Sequence, residues 1–326
     1  MPSRNYLLFH QLPYDYTKEL PFELGNDVTL EKTPFDILTA EPEESDHDDY
    51  RAHVNFILPG YDIKGNGVNH CCLSILYDRN ITKQYPSGTL FFTTLTAMRL
   101  FRPAYIYVAG GFRFESRKDH INDMIQYNLK SIYNPDSKIR FSPDDLTKIK
   151  HINGLLISDH INSYKPLVAA ITLFSQITNG LVKSYQMAYL GLFTVLESLF
   201  RPEARHDGDS YDQILSNSVP SFLSSFVDIP DNLSDWLCKS YRQKRNKLAH
   251  GMYEVNPDNI ELSDDKINEF GKLHETTRLC ILGFLSLNED TIEEIRKARR
   301  RVLRNIIDNL KPDNRLFLTN QKLWLV

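Results

Sequence analysis

The sequence predicts an α+β protein, with a β-rich N-terminal domain over residues 1–140 and an all-helical domain over residues 141–326. Three observations carry this. In the first 115 residues the apolar positions come in short runs, punctuated by Pro13, Pro21, Pro34, Gly60, Gly65 and Gly67. Beyond Pro143 they recur at helical spacing, as in Leu146, Ile149, Ile152, Leu155 and Leu156. The length of 326 residues, 41% hydrophobic and 25% charged, suits one large or two ordinary globular domains.

Taken in order, Tyr6-Leu7-Leu8-Phe9 opens a region of short strands and turns that runs to Thr39. The acidic stretch 41–49 reads as a solvated connection. As a divalent-metal loop it lacks the fixed Gly and closing Glu that Ca²⁺ requires. Residues 53–59 and 70–77 read as strands, and the second is apolar enough to be buried on both faces. Lys64-Gly65-Asn66-Gly67 between them is no phosphate loop, because its Lys comes first. Residues 88–102 read as a helix ended by Pro103. Tyr105-Ile106-Tyr107-Val108 reads as a strand closed by Gly110-Gly111, and residues 115–143 as a polar linker containing a helix. No function attaches to this half.

Ser142-Pro143-Asp144-Asp145 starts the helical half, with a cap, a Pro at the first helical position and acids at the positive end of the dipole. Helices over 166–179 and 184–200 follow, and the second is apolar almost all round, as a central core helix would be. Glu197 lies within it. A buried carboxylate is costly unless paired, so Glu197 either reaches solvent near the helix end or meets a cation from a neighbouring helix. Residues 211–226 form another helix, and residues 234–250 a further one, capped by Ser234 or Asp231. The last core helix follows Ser263-Asp264-Asp265, packing through Ile267, Phe270, Leu273, Leu279, Ile281, Leu282 and Leu285, with His274 at its edge or surface. Arg296, Lys297, Arg299, Arg300, Arg301 and Arg304 then oppose Ile295, Val302, Leu303 and Ile306 in a basic amphipathic helix. That helix could dock with its charged face in solvent, bind RNA or contact a second copy.

The most informative stretch is 241–251, Y-R-Q-K-R-N-K-L-A-H-G. It suits a solvated helix end, with Gly251 closing it and cations in the last turn. On an α-helix, however, Asn246 and His250 share a face, as do Arg242 and Asn246, and Arg242 and Arg245 stand three apart. Guanidinium matches phosphate oxygens, and imidazole exchanges a proton near neutral pH. These are the parts needed to cleave a phosphodiester without a metal, one group deprotonating a ribose 2′-OH and another holding the charge that builds on the phosphate.

Arg245-Asn246-Lys247-Leu248-Ala249-His250 resembles the Arg-Asn-x-x-x-His motif of the HEPN domain superfamily. Upstream, Leu196-Glu197-Ser198-Leu199-Phe200 resembles the Leu-Glu-x-Leu-Phe helix of its Apea-like family, and His250-Gly251 the end of that family's motif helix. The resemblance spans roughly residues 183–287. It implies an HEPN-type helical bundle that dimerises and is often a metal-independent endoribonuclease, acting as a toxin or anti-phage effector on single-stranded RNA. Carried onto this chain, His250 would be general base or acid, Arg245 would stabilise the charged phosphorane-like state, and Asn246 would hold a phosphate or orient His250. Glu197 would position Arg245, while Arg242, Lys247 and the tail residues Arg299, Arg300 and Arg301 would guide RNA. The partners expected are RNA, a second copy, and an antitoxin or regulatory protein. The rival reading is a non-catalytic helical module for dimerisation and protein or nucleotide binding.

A net charge of −4 argues against indiscriminate coating of nucleic acid but leaves room for a local basic site. Cys71, Cys72, Cys238 and Cys280 lack C-x-x-C spacing, so neither a zinc site nor a redox motif is read, and no cofactor is expected. The N-terminus lacks the apolar core of a signal peptide, and the apolar run 279–287 is too short to span a bilayer. A reduced, cytoplasmic protein away from membranes is the expectation.

Overall fold

The structure is a computed structural model that describes residues 4–33, 71–76, 87–115, 120–129, 139–182, 184–200, 210–250, 264–297, 305–307, 309–310 and 323. The stretches 41–49 and 53–59, the Gly60–Gly67 turn region, and Arg299, Arg300 and Arg301 lie outside the described residues. The chain is α+β and divides into two compact units, Met1–Leu156 and Ile157–Val326.

Among the described residues the first unit carries a six-stranded antiparallel sheet. Its strands are β1 (Arg4–Gln11), β2 (Phe22–Glu23), β3 (Val28–Lys32), β4 (Cys71–Leu76), β5 (Tyr107–Glu115) and β6 (His120–Leu129), in the order β2-β3-β4-β1-β5-β6. β1 and β4 lie at its centre, with Leu7 opposite Leu73 and Leu8 opposite Cys72. Both faces are covered at β4, where Cys71, Cys72, Leu73, Ser74 and Ile75 are all buried, as its unbroken apolar run anticipates. β5 and β6 correct the sequence reading. Gly110-Gly111 does not close a strand but sits inside β5, between Leu8 and Leu7 of β1 on one side and Gln126 and Ile125 of β6 on the other. Two flanking ladders supply the pairing that these glycines lack in propensity, and the register shift between Val108 and Gly110 absorbs the irregularity. Within the stretch 115–143, read as a linker containing a helix, residues 120–129 form the strand β6, because an available partner edge outweighs a weak local pattern.

Among the described residues this unit also carries two α-helices. Helix α1 (Ser87–Phe101) buries Arg99, whose Nη2 donates to the Ile106 carbonyl at 2.8 Å. Burial pulls that guanidinium down to about 10. Helix α2 (Pro143–Leu156) opens with a reciprocal cap, the Ser142 N–H donating to Asp145 Oδ2 at 2.9 Å and the Asp145 N–H to Ser142 Oγ at 3.3 Å. The units part after this helix, at Leu156, where the sequence reading puts the boundary at residue 140. The reason is a set of ties to the N-terminal strands. The Phe141 N–H donates to the Pro13 carbonyl at 2.7 Å. Buried Asn153 donates to the Leu24 carbonyl at 3.0 Å, and Asn26 donates to the Asn153 carbonyl at 3.0 Å. The β2–β3 turn can present those groups because Gly25, Asn26 and Asp27 all take positive φ.

The second unit contains α3 (Asp159–Ser163), α4 (Lys165–Thr178), α5 (Tyr185–Phe200), α6 (Tyr211–Ser224), α7 (Leu233–Ser240), α8 (Asn246–Ala249), α9 (Asp264–Leu285) and α10 (Glu289–Lys297). As the apolar pattern indicates, α5 is central and packs against α4, α6 and α9. Phe200 meets Phe222 and Phe284 edge-on at 5.3 and 5.4 Å, and Phe222 stacks on Phe284 at 4.8 Å. Two expectations for α9 are corrected. Ile267 is 43% exposed, since it lies in the first turn before the helix enters the core. His274 is buried, its ring 5.1 Å from Phe174, with Nδ1 at 3.3 Å from Glu275 Oε1. Glu275 also binds Arg278 at 2.8 Å, so three polar groups enter the core as one neutralised cluster. Among the described residues no helix is long and apolar enough to cross a membrane.

Gly283 of α9 faces the Phe222 ring of α6. A Cβ there would lie 2.5 Å from Cε1 and 2.9 Å from Cζ of the fully buried Phe222 ring. Gly283→Ala is therefore expected to lower stability by about 1–3 kcal/mol in denaturant titration, since the enclosed ring cannot yield. At Gly154, on the exposed side of α2 with open space around it, the same substitution should raise stability by about 0.5–1 kcal/mol.

Candidate active site

The motif segment is helical throughout but not α-helical throughout. Asn232 takes the N-cap position of α7 with no side-chain cap bond, in place of Ser234 or Asp231. After Ser240 the chain widens into one π-helical turn, Tyr241–Arg245, in which the Asn246 N–H reaches back five residues to the Tyr241 carbonyl. It then tightens into α8, where the His250 N–H returns to the Asn246 carbonyl at 3.1 Å. A π turn advances each residue by less than the α-helix does, so residues three apart across it, such as Arg242 and Arg245, are turned further from one another, while residues four apart stay on one side.

The cations of this turn accordingly go to three different helices. Arg242 pairs through Nε with Asp212 Oδ2 on α6. Lys244 pairs with Glu269 Oε2 on α9, whose other oxygen accepts from Tyr189 and Ser240, each at 3.2 Å. Arg245 pairs through Nη2 with Glu197 Oε1 on α5 at 2.9 Å. This corrects the expectation that Arg242 and Arg245 line one narrow stripe. Glu197 is paired, and Arg245 is its cation. Reciprocal fit explains the pairing, since the Glu197 and Arg245 side chains are only 17% and 22% exposed and each relieves the other's burial.

Tyr241 completes the arrangement, and sequence reasoning took no account of it. Its hydroxyl donates to the same Glu197 Oε1 at 2.6 Å, and the Arg245 guanidinium carbon lies 5.0 Å from its ring centroid. The ring meets Phe193 edge-on at 5.3 Å. Burial, reinforced by the bond to Glu197, raises its hydroxyl well above the ordinary tyrosine value. The available signal was the four-residue spacing of Tyr241 and Arg245 beside a buried acid. Asp212 and Glu269 carried no such signal, because their partners come from distant segments.

Asn246 is half-buried, while Lys247 and His250 are exposed on the final turn. The site is therefore graded, with an anchored guanidinium at its base and an amide, an ammonium and an imidazole toward solvent. Such a set can bind an anion and move a proton. Among the described residues no group of three or more His, Cys, Asp or Glu is placed to hold a metal ion.

Compared with protein-family models, with curated proteins and with solved structures, the chain matches none of them.

The Arg242–Asp212 pair generates a pH prediction. Burial by itself raises the Asp212 carboxyl, but hydrogen bonds from Ser210 and Arg242 outweigh it and hold the group below the ordinary carboxylate range. A depressed folded value stabilises the protein above the unfolded value, near 4, and is lost as pH falls through the folded one. Arg242→Ala should thus lower Tm at pH 7, and the gap to the parent protein should close on acidification below about pH 4. A gap that persisted unchanged at low pH would assign the effect to packing of the Arg242 stem.

Proposed function

We propose that the helical unit is a metal-independent endoribonuclease of HEPN type that cleaves single-stranded RNA. The observation that carries this reading is the anchoring of Arg245 by Glu197 and Tyr241 at the base of a turn whose far end exposes His250. In the reaction, His250 takes the proton of a ribose 2′-OH. The freed oxygen attacks phosphorus, Arg245 stabilises the charge on the phosphoryl oxygens, and the bond to the 5′-oxygen breaks as that oxygen gains a proton. Asn246 holds a phosphate oxygen or orients the imidazole. Products carry a 2′,3′-cyclic phosphate and a 5′-OH. A single-stranded substrate fits, because in-line attack needs a nucleotide free to leave helical geometry.

Two copies related by a two-fold axis would bring both Arg/His sets to one cleft, the second His250 protonating the leaving oxygen. Arg242 and Lys247 would track the RNA, together with Arg299, Arg300 and Arg301. The cellular role proposed is that of a toxin or anti-phage effector, held in check by an antitoxin or regulatory protein. One observation favours a rival, a non-catalytic module for dimerisation or protein and nucleotide binding. Arg242, Lys244 and Arg245 are each already paired with a carboxylate, as in a turn whose cations serve only to dock helices.

Cleavage in EDTA separates the two. The purified protein should cut single-stranded RNA and leave 2′,3′-cyclic phosphate ends. Arg245→Lys and His250→Ala should each reduce the rate by about a hundredfold or more, Arg245→Lys because an ammonium lacks the planar fork. Because His250 is exposed, its Ala variant should keep Tm within a few degrees of the parent. A His250→Ala protein that unfolds, or a parent protein that leaves RNA intact, would establish the docking role instead.

A further inference from the structure

We propose that Tyr241 is a positioning residue for Arg245, its hydroxyl holding the Glu197 carboxylate so that the guanidinium is bound by one arm and not by both. The functional consequence rests on the ribonuclease reading, whereas the structural part stands on geometry alone.

A carboxylate facing a guanidinium frequently accepts two parallel N–H bonds. Here Glu197 Oε1 accepts from the Tyr241 hydroxyl at 2.6 Å and pairs with Arg245 Nη2 at 2.9 Å. Arg245 Nε, a second donor of the same guanidinium, lies buried with no hydrogen-bond partner among the described residues. A buried unpartnered N–H is unfavourable, so something must keep the carboxylate from turning to satisfy it. Tyr241 can do so. Its side chain is buried, its ring is fixed edge-on against Phe193 at 5.3 Å, and it lies under the guanidinium at 5.0 Å. The raised hydroxyl value keeps it a donor across physiological pH.

An arginine bound by one arm retains donors that an incoming phosphate can take, and it can adjust without first breaking a bidentate pair. An arginine held by both arms is a neutralised structural tie. Tyr241 therefore sets which of the two Arg245 is, without itself touching the reacting atoms.

Tyr241→Phe tests this, since it keeps the ring and removes only the hydroxyl. In ¹⁵N-labelled protein the Arg245 Nε–H resonance, assigned by its loss in Arg245→Lys, should move downfield as Glu197 turns to accept from it. Single-turnover cleavage at saturating RNA should fall by about tenfold to a hundredfold, while KM stays within about threefold. An unmoved Nε resonance or a parental cleavage rate would overturn the proposal. So would failure of Tyr241→Phe to fold, which would make the hydroxyl a structural bond. If the parent protein cuts no RNA, the ribonuclease reading falls, and the Nε resonance alone decides the role of Tyr241.

Discussion

A carboxylate in an apolar helix is the constraint on which the helical unit turns. Glu197 stands four residues from Phe193 and between Leu196 and Leu199, all buried. Ionised carboxylates are tolerated in such surroundings only with partners. Its partners, Tyr241 and Arg245, both come from the π turn, so the acid on α5 fixes where the most polar helical segment of the unit docks. The remainder of α5 packs by ordinary apolar burial against α4, α6 and α9. Apolar contacts alone do not specify register closely, whereas one hydrogen-bonded charge does.

The π turn follows from the same requirement applied three times. Asp212, Glu269 and Glu197 sit on three different helices around the motif segment, and each takes one of its cations. On a regular α-helix Arg242 and Arg245 would fall near one another, and one of the outer carboxylates would be left without its cation. Widening the turn rotates them apart. The irregularity is thus repaid by three ion pairs, and it leaves Asn246 half-buried and Lys247 and His250 exposed on the α-turn that follows. π turns recur at functional sites, and here the turn separates an anchored part of the motif from a presented part.

In the first unit, main-chain hydrogen bonding does the equivalent work. The tight Gly25-Asn26-Asp27 turn offers backbone groups to Asn153 on α2, and the Tyr14–Phe141 bridge holds the start of that helix beside the N-terminal strands. These contacts span more than a hundred residues of chain. They are why a helix whose own pattern resembles those that follow it belongs with the sheet.

Local pattern was enough for a good part of this. The α+β class, the central place of α5, the burial of β4 and the start of α2 at Pro143 all follow from periodicity, caps and breakers, which act within a few residues. So did the expectation that Glu197 could meet a motif cation, since an acid in an apolar helix has few alternatives. Long-range pairing decided the rest. β6 and the glycine pair inside β5 exist because partner strands lie beside them, and His274 is buried because Phe174 and Glu275 receive it. Arg242 parted from Arg245 because Asp212 and Glu197 lie on different helices. Sequence alone determined which chemical groups the motif carries. Only the tertiary structure decided which carboxylate each cation faces, because ion-pair choice depends on distances between helices that no local spacing encodes.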